Sequence, residues 1–292
     1  RRAGGTRTPW TSAPARPFFI PSFLFFDVAT FSKSRAEEDM AAAALHVGLL
    51  VPLRQQSEFP RLAHLDRLVR HLCAFLPPRL PHSRAPVDYT VVVAEEEDTA
   101  THRFNRGALL NLAFHLCPRP VDLVIFHDVD LLPSDDLASH YAVPLPPGAA
   151  RHLGARWGRY AAANPRYLGG VVAMHPGDVQ RIDGFPATFW GWGGEDDAMR
   201  LRLEAAGIRI EVPARGDYHD MEEVDLATKL QLLRAAGAKC PDKWEQLQRE
   251  KQRRPRPGLR HTRRAHRVLR TRKRRAAPHV GVHHHHIEWT PR

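Results

Sequence analysis

Residues 122–130 read Asp-Leu-Val-Ile-Phe-His-Asp-Val-Asp (DLVIFHDVD), an apolar run of strand length that ends on two closely spaced carboxylates. A continuous apolar run of this length predicts a strand that is buried on both faces. Asp128 and Asp130 follow directly, and such a pair suits a hard divalent cation bridging diphosphate oxygens. An Asp-x-Asp pair taken alone is more often a turn or helix-start feature, so its meaning depends on the rest of the chain.

Strands and helices alternate on both sides of this segment. We predict strands at 46–52, 89–94, 168–174 and 208–212, and helices at 105–116, at 195–206 and from Pro60 onward, where leucines and a valine recur at helical spacing. This alternation predicts an α/β domain with a central, mostly parallel sheet flanked by helices. Sheets of this kind bind ligands at the carboxyl ends of their strands, which is where the chemically distinctive motifs lie.

Composition narrows the class of protein. The chain has 292 residues, an apolar share of 43% and a net charge of +11, values that exclude wholesale disorder. Fourteen Lys and Arg against one Glu lie between Arg249 and Arg275, so the remainder of the chain is close to neutral. No nucleic-acid motif accompanies this local charge. The three cysteines are too few for a disulfide scaffold, and we expect Cys73 and Cys117 to be buried thiols.

A second distinctive cluster reads Phe-Trp-Gly-Trp-Gly-Gly-Glu-Asp-Asp (FWGWGGEDD) at 189–197. Glycines permit backbone conformations that other residues resist, and tryptophan rings offer flat surfaces on which a sugar can pack. Glu195 and Asp196 open the helix that follows, where they could simply stabilise its N-terminus. The functional interpretation is that one of them deprotonates an attacking hydroxyl, with nearby apolar rings raising its pKa.

A third cluster, Gly-Asp-Tyr-His-Asp (GDYHD) at 216–220, follows the strand predicted at 208–212. A histidine flanked by acids is compatible with a metal ligand that a neighbouring carboxylate orients. The alternative for His219 is an ordinary exposed loop histidine.

Five motifs, taken in order along the chain, resemble those of the β-1,4-galactosyltransferase family: PLR at 52–54, FNR at 104–106, HDVDLLP at 127–133, YLGG at 167–170 and WGWGGEDD at 190–197. The resemblance runs from about Leu45 to His219 and more loosely to the end of the chain. It implies a glycosyltransferase A fold, UDP-galactose as donor, Mn²⁺ as cofactor, a glycan acceptor and inversion at the anomeric carbon.

The resemblance also assigns roles to residues. Asp196 is expected to be the catalytic base, with Glu195 beside it. Asp130 and His219 are expected to bind the metal, with Asp217 where the family places its third ligand. The expected nucleotide-sugar contacts are Pro52, Arg54, Phe104, Arg106, Val129, Arg156 and Trp192, of which Arg156 stands in place of a family lysine. The expected acceptor contacts are Tyr167, Gly170, Gly194 and Asp197.

Two alternatives concern the partner molecule. The HDVDLLP motif and the His-Asp pair at 219–220 resemble the member that galactosylates the xylose of the proteoglycan linker, and we expect a xylose acceptor. That branch tends to carry arginine at position 194, so terminal GlcNAc is the alternative acceptor. A protein of another class, binding polyanions through the basic segment, is the second alternative.

The resemblance and the composition together divide the chain. Residues 1–43 are set aside as disordered or non-native, because the chain lacks an initial methionine, Met40 is a candidate start, and the apolar stretch Phe18–Phe31 is too short to cross a membrane. Residues 44–248 are expected to form the catalytic domain and 249–292 its end. The family works in the Golgi lumen behind a membrane anchor, which is not visible here.

The last predicted strand contains four consecutive histidines, His283 to His286. Side chains alternate between the faces of a strand, so only two of the four could reach one metal ion. We expect an exposed strand here, with metal binding as the alternative.

Overall fold

The computed structural model describes residues 44–55, 59–81, 85–97, 102–161, 164, 166–252 and 257–290. The expectations for the N-terminal segment 1–43, including the start at Met40, lie outside the described residues.

The strands are β1 (Leu45–Leu53), β2 (Val87–Glu96), β3 (Leu123–His127), β4 (Leu131–Pro133), β5 (Ala149–His152), β6 (Val171–Met174), β7 (Arg209–Glu211), β8 (Tyr218–Asp220), β9 (His266–Ala277) and β10 (Val280–Trp289). The helices are α1 (Arg61–Phe75), α2 (Arg106–His115), α3 (Gly158–Ala161), α4 (Pro176–Arg181), α5 (Glu195–Ala205), α6 (Leu226–Ala235), α7 (Lys243–Lys251) and α8 (Leu259–Thr262). Two 3₁₀ turns cover Asp135–Tyr141 and Leu153–Arg156.

Eight of these strands form one sheet in the order β7-β5-β6-β3-β1-β2-β10-β9, and β4 pairs with β8 in a small second sheet. The centre is parallel, since β1 pairs in parallel with β2 and β3, and β2 pairs in parallel with β10. Strands β6 and β9 run antiparallel to their neighbours. The expected α/β class with a mostly parallel sheet is confirmed, with antiparallel strands added toward both edges.

Helices cover both faces of the sheet because the strands are apolar on both faces. On one face, Val47 and Leu49 pack with Leu68 and Leu72 of α1. On the other face, a second cluster is built from alternate positions of the same strands and from α2. Burying one such side chain contributes roughly 1.5–3 kcal/mol. Leu62 is one of the leucines that recur at helical spacing after Pro60, but it is 43% exposed and so lies outside the buried face of α1.

The basic segment ends in a hairpin that completes the sheet. β10 lies between β2 and β9, and β9 forms the edge of the sheet. The expectation of an exposed last strand is therefore wrong, because β10 is half-buried by the strand on each side, whereas β9 is exposed along most of its length. That 249–292 belongs to the same domain stays a proposal, which this strand pairing supports.

Two further features of the fold concern the cysteines and the lengths of the helices. Cys73, Cys117 and Cys240 are free thiols. Cys73 and Cys117 are half-buried rather than buried as expected, and burial raises the pKa of Cys117 to about 11. Within the described ranges, no helix is both long enough and apolar enough to cross a membrane.

Candidate active site

A cavity of about 630 Å³ opens beyond the carboxyl ends of β1 and β3. Many of the residues singled out from the sequence line it: Pro52, Arg54, Phe104, Arg106, Val129, Asp130, Tyr167, Trp192, Gly194, Glu195, Asp196 and Asp197. Segments far apart in the chain meet here because parallel strands end at the same edge of the sheet. Four predicted residues, namely Arg156, Gly170, Asp217 and His219, are not among its lining residues.

Arg106 joins the two acidic motifs. Asn105 caps α2 by accepting a hydrogen bond from the backbone N–H of Ala108, which fixes Arg106 at the first helical position. Arg106 Nε donates to Asp128 Oδ1 at 2.7 Å, and Nη1 donates to Asp196 Oδ1 at 2.9 Å. Burial opposes its charge, but Asp128 and Asp196 outweigh burial and raise the pKa of Arg106. A fixed cation therefore lies between the strand-end aspartate and the aspartate of α5.

The carboxylates of the cavity differ in their affinity for protons. Burial raises the pKa of Asp128 to about 6, although Arg106 opposes the shift. Burial likewise raises the pKa of Asp196, and the nearby charge of Glu195 adds to this effect. For Asp130, burial acts in the same direction, but the Arg61 guanidinium outweighs it and lowers the pKa to about 2. Asp196 is thus the better proton acceptor, while Asp130 stays ionised.

The space around Asp196 requires a glycine at position 169. A Cβ there would lie 2.3 Å from Asp196 Oδ2 and 2.5 Å from the Tyr167 hydroxyl. His152 Nε2 lies 2.9 Å from the carbonyl oxygen of Gly169 and holds this backbone in place. Predicted Gly170 lies behind the cavity wall, where its carbonyl oxygen accepts the N–H of Asp128 at 3.1 Å.

Aromatic rings form one wall of the cavity. Tyr160 stacks on Tyr167 at 5.1 Å between ring centroids, and Trp192 lies 6.3 Å from Tyr160. The wall lies beside Asp196, since the Tyr167 hydroxyl and the Asp196 carboxylate flank the same glycine. Flat apolar faces next to a carboxylate suit the binding of a sugar ring with one hydroxyl aimed at the acid.

The loop that carries Trp192 is held by backbone hydrogen bonds. The N–H of Trp192 donates to Ala238 at 2.8 Å, and its carbonyl oxygen accepts from Cys240 at 3.1 Å. Gly194 has φ +103°, and a Cβ there would lie 2.6 Å from the Phe189 ring. Any side chain at position 194 is therefore strained, which gives a physical reason for glycine at this position.

Asp130 also belongs to an acidic group that it forms with Asp220 and Glu222. Oxygens of Asp130, Asp220 and Glu222 lie within 4.8 Å of one another, close enough to hold one metal ion. Glu222 follows β8, and Asp220 belongs to β8, which pairs with β4 just after Asp130. The neighbouring cations are Arg61, Arg159 and Lys229, which form ion pairs with these acids.

The other predicted metal ligands point elsewhere. His219 and Asp217 are exposed, and His219 Nε2 lies 3.7 Å from Glu223 Oε1. The backbone N–H of Asp217 donates to the Ser134 hydroxyl at 3.0 Å. Of the predicted ligands, only Asp130 lies in the acidic group, so the roles of Asp217 and His219 stay predictions that this arrangement does not support.

Sequence reasoning missed several charged residues of the cavity. Arg159 lines the cavity, whereas Arg156 donates to the carbonyl oxygen of Pro213 at 3.3 Å. Arg61 and Lys229 reach the cavity from α1 and α6. Their spacing carries no signal of this role, since an arginine or lysine on an amphipathic helix is ordinarily a solvated residue.

Comparisons with known proteins identify the family of the chain. A family model described as the N-terminal region of glycosyl transferase group 7 matches residues 31–142. Another, described as the N-terminal domain of galactosyltransferase, matches residues 150–224. Together the two cover more than half of the chain and include most of the motifs that line the cavity.

Curated relatives include β-1,4-galactosyltransferase 5 of Sus scrofa, 34% identical over 64% of this chain and 47% of the relative. β-1,4-galactosyltransferase 4 of Rattus norvegicus is 33% identical over 62% of this chain and 49% of the relative. The chain thus spans about half the length of the curated relatives it matches.

Among solved structures, the catalytic domain of Drosophila β-1,4-galactosyltransferase 7 in complex with xylobiose superimposes with a TM-score of 0.61. It is 23% identical, and the match covers 85% of this chain and 96% of that one. The fold is therefore the glycosyltransferase A fold. With both family models matched in order and the same motifs gathered around one cavity, the chain belongs to the β-1,4-galactosyltransferase family, glycosyltransferase family 7.

Proposed function

We propose that this protein transfers galactose from UDP-galactose to a sugar hydroxyl in β-1,4 linkage, with inversion and in dependence on Mn²⁺. The observation that carries the proposal is the placement of Asp196. Its carboxylate lies beside an aromatic wall, has a raised pKa and is held by Arg106, which also binds the strand-end Asp128. An inverting transfer needs one such base facing the acceptor hydroxyl.

Asp196 acts as the base in this proposal. It accepts the proton of the acceptor hydroxyl as that oxygen bonds to the anomeric carbon of the donor, on the face opposite the uridine diphosphate, whose bond to the same carbon breaks. The raised pKa of Asp196 strengthens it as a proton acceptor. Arg106 keeps the carboxylate oriented, and the aromatic rings exclude water, which favours transfer over hydrolysis of the donor.

A different group of cavity residues is proposed to hold the donor. Arg54 and Phe104 lie together, with the guanidinium carbon 5.9 Å from the ring centroid, and Pro52 also lines the cavity. A cation beside an aromatic ring suits a nucleobase and its phosphates. Arg159 and Lys229 also line the cavity, and we propose that their positive charge attracts the diphosphate of the donor.

The acidic group fits a manganese ion in its donor chemistry. Carboxylate oxygens are the ligands that Mn²⁺ prefers, and Asp130 is ionised at neutral pH. When bound, the ion would supply positive charge that offsets the charge of the departing diphosphate. We propose Asp130 as a ligand, because it belongs both to the set predicted from the sequence and to the acidic group of the structure.

Xylose is the proposed acceptor. The HDVDLLP motif and the His-Asp pair at 219–220 support it. A structure of the Drosophila enzyme, in a mutant form, contains manganese, UDP-Gal and xylobiose. Terminal GlcNAc remains the alternative, since Gly194 stands where the xylose-directed branch tends to carry arginine. The Golgi lumen is the proposed location, after the family.

The test is galactose transfer from labelled UDP-galactose onto aryl β-xyloside and aryl β-GlcNAc in parallel, with Mn²⁺ or EDTA. We expect Mn²⁺-dependent product on the xyloside and none with Asp196→Asn. Product on the GlcNAc acceptor alone would retain the mechanism and replace the acceptor. Absence of transfer to either acceptor, from protein shown to be folded and to bind UDP, would overturn the proposal.

A further inference from the structure

The four-histidine tract meets a carboxylate on one face of the sheet. β10 pairs in parallel with β2, in a register that sets His284 opposite Val93 and His286 opposite Glu95. His284 and His286 therefore share one face, and their rings stack at 4.6 Å between centroids with an interplanar angle of 20°. Both rings turn toward the Glu95 side chain.

The three side chains converge on one point. Glu95 Oε2 lies 2.6 Å from His284 Nε2 and 3.0 Å from His286 Nδ1. Their potential ligand atoms all lie within 4.8 Å of one another. The three side chains are between 11% and 20% exposed, so the point is sheltered yet open to a small ion.

From this geometry we propose a second metal site, separate from the acidic group of the cavity, in which Glu95, His284 and His286 bind a divalent transition-metal ion of the Zn²⁺ type. Two imidazoles and one carboxylate are a donor set that proteins use for zinc. The ion would replace the ring protons that face Glu95, so that each ring offers a lone pair to the ion. Three protein ligands leave the fourth position of a tetrahedral site for water.

The surrounding charge predicts which ions bind. Arg270 Nη2 lies 3.2 Å from His286 Nε2, and Arg272 lies opposite His284 on β9. These arginines repel a metal cation, so an ion that is bound only by electrostatic attraction is disfavoured here. Nitrogen ligands bind Zn²⁺ far better than they bind Mg²⁺ or Ca²⁺, which need several oxygens. The site is therefore expected to distinguish between these classes of metal.

The other two histidines provide a matched control. His283 and His285 lie on the opposite face, and His285 Nδ1 lies 2.9 Å from the Thr271 hydroxyl. The residue that follows Glu95, Glu96, also turns to that face, where it binds Arg54 and Trp289. His283 thus belongs to the same tract but does not share the carboxylate.

A bound ion would join β10 to β2. Glu95 belongs to β2, whereas both histidines belong to β10. An ion that binds the folded chain and not the unfolded one stabilises the folded state in proportion to its affinity. The function that we assign to the site is structural: it fastens the C-terminal hairpin to the parallel sheet.

The experiment uses the full chain carrying Asp130→Asn, so that the acidic group of the cavity contributes less. Calorimetric titration with Zn²⁺ should give one site per chain, and Mg²⁺ should give none. Cobalt(II) should bind with the visible absorption of a four-coordinate ion. Zn²⁺ should also raise the thermal unfolding midpoint.

His284→Gln and Glu95→Gln should each weaken Zn²⁺ binding by more than roughly 100-fold, the upper range for loss of even an outer-sphere partner. His283→Gln should leave binding unchanged. Equal loss in His283→Gln would mean that the tract binds metal as a flexible chain and would overturn the site. So would absence of Zn²⁺ binding by the folded parent protein, a result that does not depend on whether the variants fold.

Discussion

Arg106 sets the charge balance of the cavity. It is the cation closest to Asp128, Glu195 and Asp196, at 2.7, 3.9 and 2.9 Å. Its attraction lowers the pKa of Asp196 and of Asp128 against the effect of burial. Without it, Asp128 and Asp196 would hold their protons to higher pH.

We therefore expect Arg106→Gln to move the acid limb of galactosyl transfer to higher pH, because Asp196 must lose its proton to act as base. The same change should lower the free energy of unfolding by roughly 3–5 kcal/mol, the cost of leaving buried charges unpaired. A pH–rate profile and urea unfolding measure the two effects. Arg267→Gln, which breaks an exposed ion pair with Glu288, serves as control and should cost less than about 1 kcal/mol.

His152 predicts a pH-dependent stability. Burial lowers its pKa from 6.5 to about 4, so between these values the unfolded chain binds a proton that the folded chain does not. Stability contributed by neutral His152 is present above pH 6.5 and is lost as the pH falls toward 4. His152→Gln should reduce the slope of unfolding free energy against pH by up to about 1.4 kcal/mol per unit in this window. An unchanged slope would mean that His152 titrates normally.

Substitutions at Asp220 and His219, which both belong to β8, distinguish the two possible sets of Mn²⁺ ligands. Asp130→Asn should abolish Mn²⁺ binding, as measured by calorimetry on the protein alone. If Asp220→Asn loses affinity for Mn²⁺ and His219→Gln does not, the ion is held by the acidic group of Asp130, Asp220 and Glu222. If His219→Gln loses affinity and Asp220→Asn does not, the ion is held by the set predicted from the sequence, which contains Asp130, Asp217 and His219.

At the scale of elements, the loop from Phe189 to Gly194 requires glycine for two reasons, namely a positive φ and the lack of space for a Cβ. Gly193 and Gly194 both have positive φ, +101° and +103°, but only Gly194 faces a crowded wall. A Cβ at Gly193 meets nothing nearer than 3.8 Å, whereas one at Gly194 would overlap the Phe189 ring. Comparing substitutions at Gly193 and Gly194 therefore distinguishes the cost of backbone strain from the cost of steric overlap.

Gly193→Ala should cost about 1–2 kcal/mol for left-handed backbone alone. Gly194→Ala should cost about 1–3 kcal/mol more, because the Phe189 ring must move. Urea unfolding of both variants measures the difference. Equal costs would show that the ring yields freely.

Strand β9 tests the alternative of polyanion binding. Arg272 and Arg274 lie on this exposed edge strand. Arg272→Gln combined with Arg274→Gln should lower the salt concentration that elutes the protein from heparin, without changing transfer to small xylosides, because neither residue lines the cavity. Arg209→Gln, at another exposed arginine, should leave elution closer to that of the parent.

The sequence predicts those elements whose signal is local. β1, β2 and β3 follow from continuous apolar runs, and α5 follows from its acidic start and from Gly207, which comes directly after the C-cap residue Ala206. β9 could not be predicted, because its basic side chains lack alternation and because it is a strand only by pairing with β10. The same holds for Asp220 and Glu222, whose approach to Asp130 depends on the pairing of β4 with β8.

At the scale of the whole molecule, the parallel pairing of β10 with β2 makes the end of the chain part of the central sheet. Trp289 donates to Glu96, which also binds Arg54 of the cavity. A chain that ends at Ala265 lacks both β9 and β10 and exposes the edge of β2. We expect it to aggregate or to unfold at a lower temperature, as measured by light scattering and calorimetry. A soluble, fully active truncated chain would contradict this.

The same pairing has a consequence for how the protein is made. After β2 leaves the ribosome, its partner β10 is not yet synthesised, and everything between Glu96 and Val280 must come first. At roughly 5–20 residues per second, this delay lasts on the order of ten to forty seconds. During that interval the edge of β2 is open to any other strand. The nascent chain therefore depends on chaperones or on rapid local folding to protect an edge of β2 that only β10 can close.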